Sequence, residues 1–190
     1  MRSARWTAAT TAGFVFGGAG LHSPGASGIG AAFLDWDMSA TIFGAILGAI
    51  VGAITGLLQN IALGRRDLRV FVAMVVTVSV AHALADGAPA IWGVPGVAAL
   101  SGVVAAIATA WAARLWDPRV LVVALVGWCV GWMGGVALAG ALGLSYGSTP
   151  DVWATEHVVI AAVLGLAFGT ATSPAMRRIL RSERALSSAG

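Results

Sequence analysis

Long apolar runs separated by short polar connections make up most of this sequence. A helix needs about twenty apolar residues to cross the hydrocarbon core of a bilayer, with a usual range of about 17 to 25. Six runs are of this order, at residues 6–22, 40–63, 68–85, 90–113, 119–144 and 152–173. The pattern predicts an all-α integral membrane protein with six transmembrane helices.

The basic residues are placed next to alternate ends of these runs. All eleven are arginine, and they fall in four groups. Because positively charged loops are retained on the cytoplasmic side, this spacing predicts that both termini are cytoplasmic. The groups are Arg2 and Arg5; Arg65, Arg66 and Arg69; Arg114 and Arg119; and Arg177, Arg178, Arg181 and Arg184.

An internal repeat constrains the arrangement of the helices. An Asp-x-Arg motif followed by apolar residues opens the third run at Asp67 and the fifth run at Asp117, in the same orientation. The repeated unit is therefore a helical hairpin that starts inside, crosses and returns. We expect one transmembrane domain, residues 1–190, made of three parallel hairpins and a short basic tail. The hairpins cover about residues 1–66, 67–117 and 118–176, and the tail covers residues 177–190.

Glycine recurs every fourth residue in the second run, at Gly44, Gly48, Gly52 and Gly56. Glycines at this spacing lie along one shallow groove of a helix, where another backbone comes close. The groove predicts tight helix packing, either within the chain, in a homo-oligomer, or with a partner membrane protein or lipid tail. Shorter series of the same kind are Gly127, Gly131 and Gly135 in the fifth run, and Gly165 and Gly169 in the sixth.

Composition excludes several other classes of protein. The chain is 58% hydrophobic and only 10% charged, with a mean hydropathy of +0.89, whereas soluble domains carry about 25% charged residues. Its net charge of +3 comes from arginines beside apolar runs. We therefore expect the protein to lie in the lipid bilayer and to bind no nucleic acid. One cysteine, Cys129, allows no disulfide within the chain.

Most of the eight tryptophans lie near the ends of the runs, where their amphipathic rings anchor helices at the interface. We expect outer anchors at Trp36, Trp92 and Trp153, and inner anchors at Trp6, Trp111 and Trp116. Trp128 and Trp132 differ, because both lie well inside the fifth run, four residues apart on one face. They are expected to pack against a glycine groove or to line a cavity.

The three histidines and several acids lie toward the outer ends of the runs. His82 and Asp86 share a helix face, Glu156 precedes His157, and His22 ends the first run. Ionisable groups inside spans usually face a bundle interior or a water-filled cavity, so these residues predict an outward-facing vestibule. The alternative is that each residue lies at the wet interface or a helix end. Aromatic walls of the vestibule are expected from Trp92, Trp132 and Trp153.

No sequence motif of a zinc protease, a serine hydrolase or a phosphate-binding loop is present. The acids form no paired-carboxylate motif, and no spacing indicates a metal site or a cofactor. We therefore expect no catalytic, cofactor-binding or metal-binding residues, and a protein that is not an enzyme.

Two stretches carry a family resemblance, Gly56-Leu-Leu-Gln-Asn-Ile-Ala-Leu-Gly-Arg-Arg66 and Gly127-Trp-Cys-Val-Gly-Trp-Met-Gly-Gly135. They resemble uncharacterised bacterial membrane proteins built from glycine- and tryptophan-rich hairpins that close on a Gly-Leu-x-Gln-Trp-x-x-Leu-Arg-Arg-like motif. Asn60 stands where that motif has tryptophan. The resemblance implies a multi-pass protein of the bacterial plasma membrane, and it brings no established activity.

Two functions are compatible with the sequence. The first is a non-enzymatic protein that binds or transports a small solute through the vestibule, with residues 23–38 as a lid. A negatively charged, aromatic vestibule favours a cation. The length of the whole chain and its six spans are similar to those of the substrate-binding component of energy-coupling-factor vitamin transporters. The alternative is a structural or accessory subunit that associates through its glycine-lined helix faces.

Overall fold

The computed structural model describes residues 2–20, 38–64, 66–87, 93–144 and 150–187, except the side chains of residues 2, 17–20, 40, 150–154 and 179–187. All regular secondary structure among these residues is helical. The helices are α1 (Arg2–Gly20), α2 (Met38–Leu63), α3 (Leu68–Gly87), α4 (Gly93–Ala113), α5 (Pro118–Ala141) and α6 (Pro150–Ser187).

Within the described residues, the five helices α2 to α6 are long and apolar enough to cross a membrane. The prediction of an all-helical, multi-pass membrane protein is confirmed to that extent. The helix α1 has 19 residues, but it carries threonines and small residues where the other helices carry large aliphatic side chains. The helix α1 is therefore less apolar than α2, α3, α4 and α5.

The six helices form a closed ring. Each helix packs against the next one along the chain, and α6 packs against α1. Neighbours run antiparallel: for example, Gly44 of α2 contacts His82 of α3, and Gly56 contacts Phe71. One end of the ring therefore carries the α2–α3 and α4–α5 turns and most of the described arginines, and we call it the arginine end. The opposite end carries His82 and His157, and we call it the histidine end.

Glycine contacts hold most of the neighbouring pairs in the ring together. The four glycines of α2 face the backbone of α3, and Gly127, Gly131 and Gly135 of α5 face α6. Gly165 and Gly169 of α6 face Thr11 and Thr7 of α1, so the junction that closes the ring is also made by small residues. The grooves predicted from the sequence are thus filled by the chain's own helices, and a partner helix would have to displace one of them.

The middle of the ring is filled by aromatic side chains. Trp128 is fully buried, and its ring makes edge contacts with Phe168, at a centroid distance of 5.2 Å, and with Phe14, at 6.0 Å. Trp132 packs against Trp128 at 6.1 Å. We call these four residues the aromatic cluster; they belong to a buried core to which all six helices contribute.

The prediction that Trp6 is an interfacial anchor is wrong. This residue is not an exposed anchor, because only 3% of its surface is accessible and its indole nitrogen donates a hydrogen bond of 3.1 Å to Thr172 Oγ1. It belongs to a second buried cluster, nearer the arginine end, with Val70 of α3 and Met176 of α6. The other two predicted inner anchors, Trp111 and Trp116, are exposed.

The two turns at the arginine end have the same local structure. Asp67 Oδ1 accepts the backbone N–H of Arg69 at 3.0 Å, and Asp117 Oδ1 accepts that of Arg119 at 2.8 Å. An aspartate in this position satisfies a backbone donor in the first turn of a helix. Three residues before each aspartate, the backbone has a positive φ, at Gly64 and at Arg114. The Asp-x-Arg motif thus marks a helix start in both copies.

The outside of the ring is covered by exposed apolar side chains, as expected for a surface in contact with lipid. These residues include Ile42, Ile46, Ile50, Leu57 and Ile61 on α2, and Val122, Val126, Val130 and Met133 on α5. The helix α6 is longer than its predicted span, since it continues through Pro174 to Ser187. The predicted tail, residues 177–190, is therefore continuous with α6 over most of its length.

Candidate functional site

Five of the eight predicted vestibule residues have described side chains: His82 and Asp86 on α3, Trp132 on α5, and Glu156 and His157 on α6. His22 and Trp92 lie outside the described residues. Trp153 belongs to α6, but its side chain also lies outside them. The candidate residues with described side chains therefore lie on α3, α5 and α6.

His82 is held on α3 by its own helix. Its Nδ1 lies 3.0 Å from the carbonyl oxygen of Val78, one turn earlier. In the neutral tautomer that donates from Nδ1, the other ring nitrogen, Nε2, is an acceptor. The ring is partly buried. The hydrogen bond therefore fixes the direction in which Nε2 points.

His157 lies on the interior side of α6. It is one turn before Ala161, which packs against the central core. Among the described residues, α3 and α6 do not pack against each other, so His82 and His157 lie on separate sides of the ring. The interior of the ring thus changes along its axis, from aromatic in the middle to polar at the histidine end.

Glu156 is the most deeply buried acid of the site. Only 5% of its surface is accessible, and its Oε2 has no hydrogen-bond partner among the described residues. It lies one turn from Ile160, which packs against Gly135, so it is on the side of α6 that faces α5. Burying a carboxylate oxygen without a partner is costly. This oxygen is therefore available to a donor or a cation.

Asp86 links the site to the glycine series of α2. A Cβ at Gly44 would lie 2.6 Å from Asp86 Oδ2 and 2.6 Å from the carbonyl oxygen of His82. Only a residue without a side chain leaves room for this carboxylate beside α2. Gly44 therefore allows the side of α3 that carries His82 and Asp86 to pack directly against α2.

Trp132 lies one helical turn from Trp128, toward the histidine end, and is partly buried against the central core. An aromatic side chain therefore separates the polar end of the interior from the fully buried Trp128. The described histidines, cysteine and acids include no group of three that could hold a metal ion.

Sequence reasoning missed the residue that positions the aromatic cluster. Ser101 of α4 is fully buried and accepts a hydrogen bond of 2.9 Å from the indole nitrogen of Trp128. It donates in turn to the carbonyl oxygen of Val97, at 2.7 Å. A single serine in an apolar helix gives no signal of such a role, since its partner lies on another helix.

A second feature missed from the sequence is a groove of about 620 Å³ at the arginine end. It is lined by Arg66, Asp67, Leu68, Arg69, Val72, Trp111 and Arg114. A smaller cavity of about 180 Å³ lies at the same end, between α5 and α6. From the sequence, these arginines were interpreted only as indicators of membrane topology. The sequence does not show that the α2–α3 and α4–α5 turns line one groove.

No protein-family model, no curated protein and no solved structure matches this chain. Its function therefore has to be inferred from its residues and their geometry.

Proposed function

We propose that the chain crosses the bacterial plasma membrane six times, with the arginine end and both termini in the cytoplasm. The support for α1 as a sixth span is that it packs between α2 and α6 and contributes Phe14 to the central core. The arginines support the orientation through the positive-inside rule. The matching turns at Asp67 and Asp117 support three repeated hairpins.

We propose that the protein is a non-enzymatic binding protein for a small cation, which it takes up at the histidine end. The observation that carries this proposal is the buried carboxylate of Glu156, whose Oε2 has no hydrogen-bond partner among the described residues. An ionisable group in a span usually serves a substrate or ion site, because its burial is costly. Glu156 and Asp86 are the acids with described side chains at the histidine end.

Trp132 adds an aromatic face to this site. A ring attracts a cation through the negative charge of its π face, and the attraction is strongest where water is excluded. An organic ammonium or guanidinium group combines the charge that the carboxylates favour with the shape that a ring accommodates. This class of cation is therefore the proposed ligand.

Binding is better supported than passage through the ring. The aromatic cluster fills the middle of the interior, and its central residue, Trp128, has no accessible surface. A solute that reached the site from the histidine end would meet this cluster. Transport would require the helices that carry Trp128 and Phe168 to move apart.

The proposal is tested by thermal unfolding of the purified full-length protein with ammonium, guanidinium, tetramethylammonium and choline chlorides at constant ionic strength. A cation at 100 times its Kd stabilises a protein by about 2.7 kcal/mol, so we expect a rise in Tm with at least one of them. The Glu156→Gln variant should lose this response, because the amide has no negative charge.

Asp117→Asn is the matched control, since it also removes one carboxylate charge but lies at the arginine end. It should retain the response to the cation. The proposal is wrong if no cation raises the Tm, or if Glu156→Gln responds as strongly as the unmodified protein.

The alternative function is a structural or accessory subunit of a membrane complex. It is favoured by the filled middle of the ring, which leaves no described path for a solute. The glycine grooves are occupied within the chain, so a partner would contact the exposed apolar faces of α2 and α5 instead. An accessory subunit of this kind would show no response to cations in the same experiment.

A further inference from the structure

The groove of about 620 Å³ at the arginine end has a different chemistry from the site at the histidine end. It brings together the start of α3 and the end of α4, and its lining includes three arginines, Arg66, Arg69 and Arg114. Arg66 and Arg114 are exposed. Positive charge is thus concentrated in one open groove.

The one acid in the lining can offset only one of these three positive charges. Asp67 is a single carboxylate among three guanidinium groups, and its Oδ1 accepts the backbone N–H of Arg69 at 3.0 Å. Its backbone N–H and carbonyl are bound to the side chain of Asn60, at 2.8 and 3.2 Å. Asp67 therefore shapes the turn, and the groove keeps an excess of positive charge.

The rim of the groove is apolar. Leu68 is 73% exposed and Trp111 is 38% exposed, although both are large apolar residues. The guanidinium carbon of Arg69 lies 5.6 Å from the centroid of the Trp111 ring, a distance typical of cation–π contact. Both residues lie at helix ends, where tryptophan is typical of the interface between lipid and water. The groove thus combines three guanidinium groups with two exposed apolar side chains.

We propose that this groove binds the phosphate group of an anionic phospholipid. Guanidinium groups donate paired hydrogen bonds to phosphate oxygens, and three of them line the groove. Leu68 and Trp111 then contact the glycerol and the first carbons of the acyl chains. The apolar rim favours a lipid over free phosphate, because free phosphate has nothing to place against it.

The test is native mass spectrometry of the full-length protein in detergent with added phosphatidylglycerol, phosphatidylcholine or inorganic phosphate. Phosphatidylglycerol should remain bound at concentrations about tenfold lower than phosphatidylcholine. The Arg69→Gln/Arg114→Gln variant should weaken phosphatidylglycerol binding by tenfold or more, from about 1 kcal/mol for each arginine near an anionic lipid. Glutamine is shorter than arginine, but it is polar and uncharged, and it keeps a non-glycine residue at position 114, where φ is positive.

The control is Arg5→Gln/Arg177→Gln, which removes the same charge from two exposed arginines outside the groove. It should bind phosphatidylglycerol like the unmodified protein. If the double variant in the groove does not fold, Arg66→Gln alone should weaken binding about fivefold. The proposal is overturned if both double variants lose binding equally, if the groove variants bind normally, or if inorganic phosphate binds as tightly as the lipid.

Discussion

Alanine at Gly48 is expected to lower the free energy of unfolding by about 2 kcal/mol, and leucine there should prevent the native packing of α2 on α3. A Cβ at this position would collide with the carbonyl oxygen of Val78 and would lie 2.7 Å from Ser79 Cα. These are backbone atoms, so a rotamer change cannot relieve the contact. The whole of α3 would have to move.

Such a movement would also break a hydrogen bond beside the groove. Ser79 Oγ donates to the carbonyl oxygen of Ala45 at 2.6 Å, which ties α3 to α2 directly. Hydrogen bonds between helices are worth about 0.6 kcal/mol on average in a membrane protein, so most of the expected loss comes from the steric contact. The free energy of unfolding is measured by titration with sodium dodecyl sulfate in mixed micelles.

Gly140 of α5 provides the matched control, because a Cβ there has no atom within 4 Å. Gly140→Ala should leave the stability unchanged or raise it, since alanine favours a helix over glycine by up to about 1 kcal/mol. Equal stability of Gly48→Ala and Gly140→Ala would show that the α2–α3 contact is not as close as described.

Truncation of Trp128 to alanine should cost about 3–5 kcal/mol, the range for removing a large aromatic side chain from a packed core. Trp128 is fully buried and contacts Phe14, Phe168 and Trp132. Its removal leaves a cavity in the middle of the ring and takes away the hydrogen bond to Ser101. The same titration gives the change in stability.

Two further substitutions test the contribution of the hydrogen bond and of burial. Trp128→Phe keeps an aromatic ring but not the indole donor, and we expect a smaller loss of about 1–2 kcal/mol. Trp116→Ala removes the same side chain from a position that is 64% exposed, and it should have little effect. A loss for Trp128→Ala no larger than for Trp116→Ala would contradict a filled ring.

The spans were readable from the sequence because each depends on its own residues. The apolar runs and the Asp-x-Arg motifs locate the ends of α3 and α5 to within three residues, since both the hydropathy and the helix caps are local. The glycine spacing is also local, and it indicated which face of α2 has a close neighbour. It could not indicate which helix that neighbour is.

The packing of the interior could not be predicted, because it depends on contacts between residues that are far apart in the chain. The partner of Trp6 is Thr172 on the last helix, so a tryptophan with the sequence position of an interfacial anchor became a core residue. Gly165 and Gly169 indicated that α6 has a close neighbour, but no local signal in either helix indicated that this neighbour is α1. The arginine groove was missed for the same reason, since Arg69 and Trp111 meet only once α3 and α4 pack together.

The candidate site was predicted in part. The sequence placed His82 and Asp86 on one face of one helix, from their spacing alone. It could not show that α3 and α6 lie on separate sides of the ring, or that Oε2 of Glu156 has no hydrogen-bond partner among the described residues. It also could not show that Gly44 makes room for the carboxylate of Asp86. These relations depend on the order of helices around the ring.

Our central proposal is that the interior is polar and open to the outside at the histidine end, and that the aromatic cluster closes it in the middle. Thiol labelling in intact cells tests it most directly, in a Cys129→Ala background that removes the one native cysteine. His157→Cys lies on the histidine side of the cluster, and Thr10→Cys replaces a fully buried residue nearer the arginine end. The reagent is a thiol-reactive compound that does not cross membranes.

The account predicts that the cysteine at position 157 reacts from outside the cell and that the cysteine at position 10 stays protected until the protein is denatured. Reaction at position 157 only after the cells are permeabilised would contradict the orientation and the open outer end. Equally fast reaction of both cysteines from outside would contradict the closed middle of the ring.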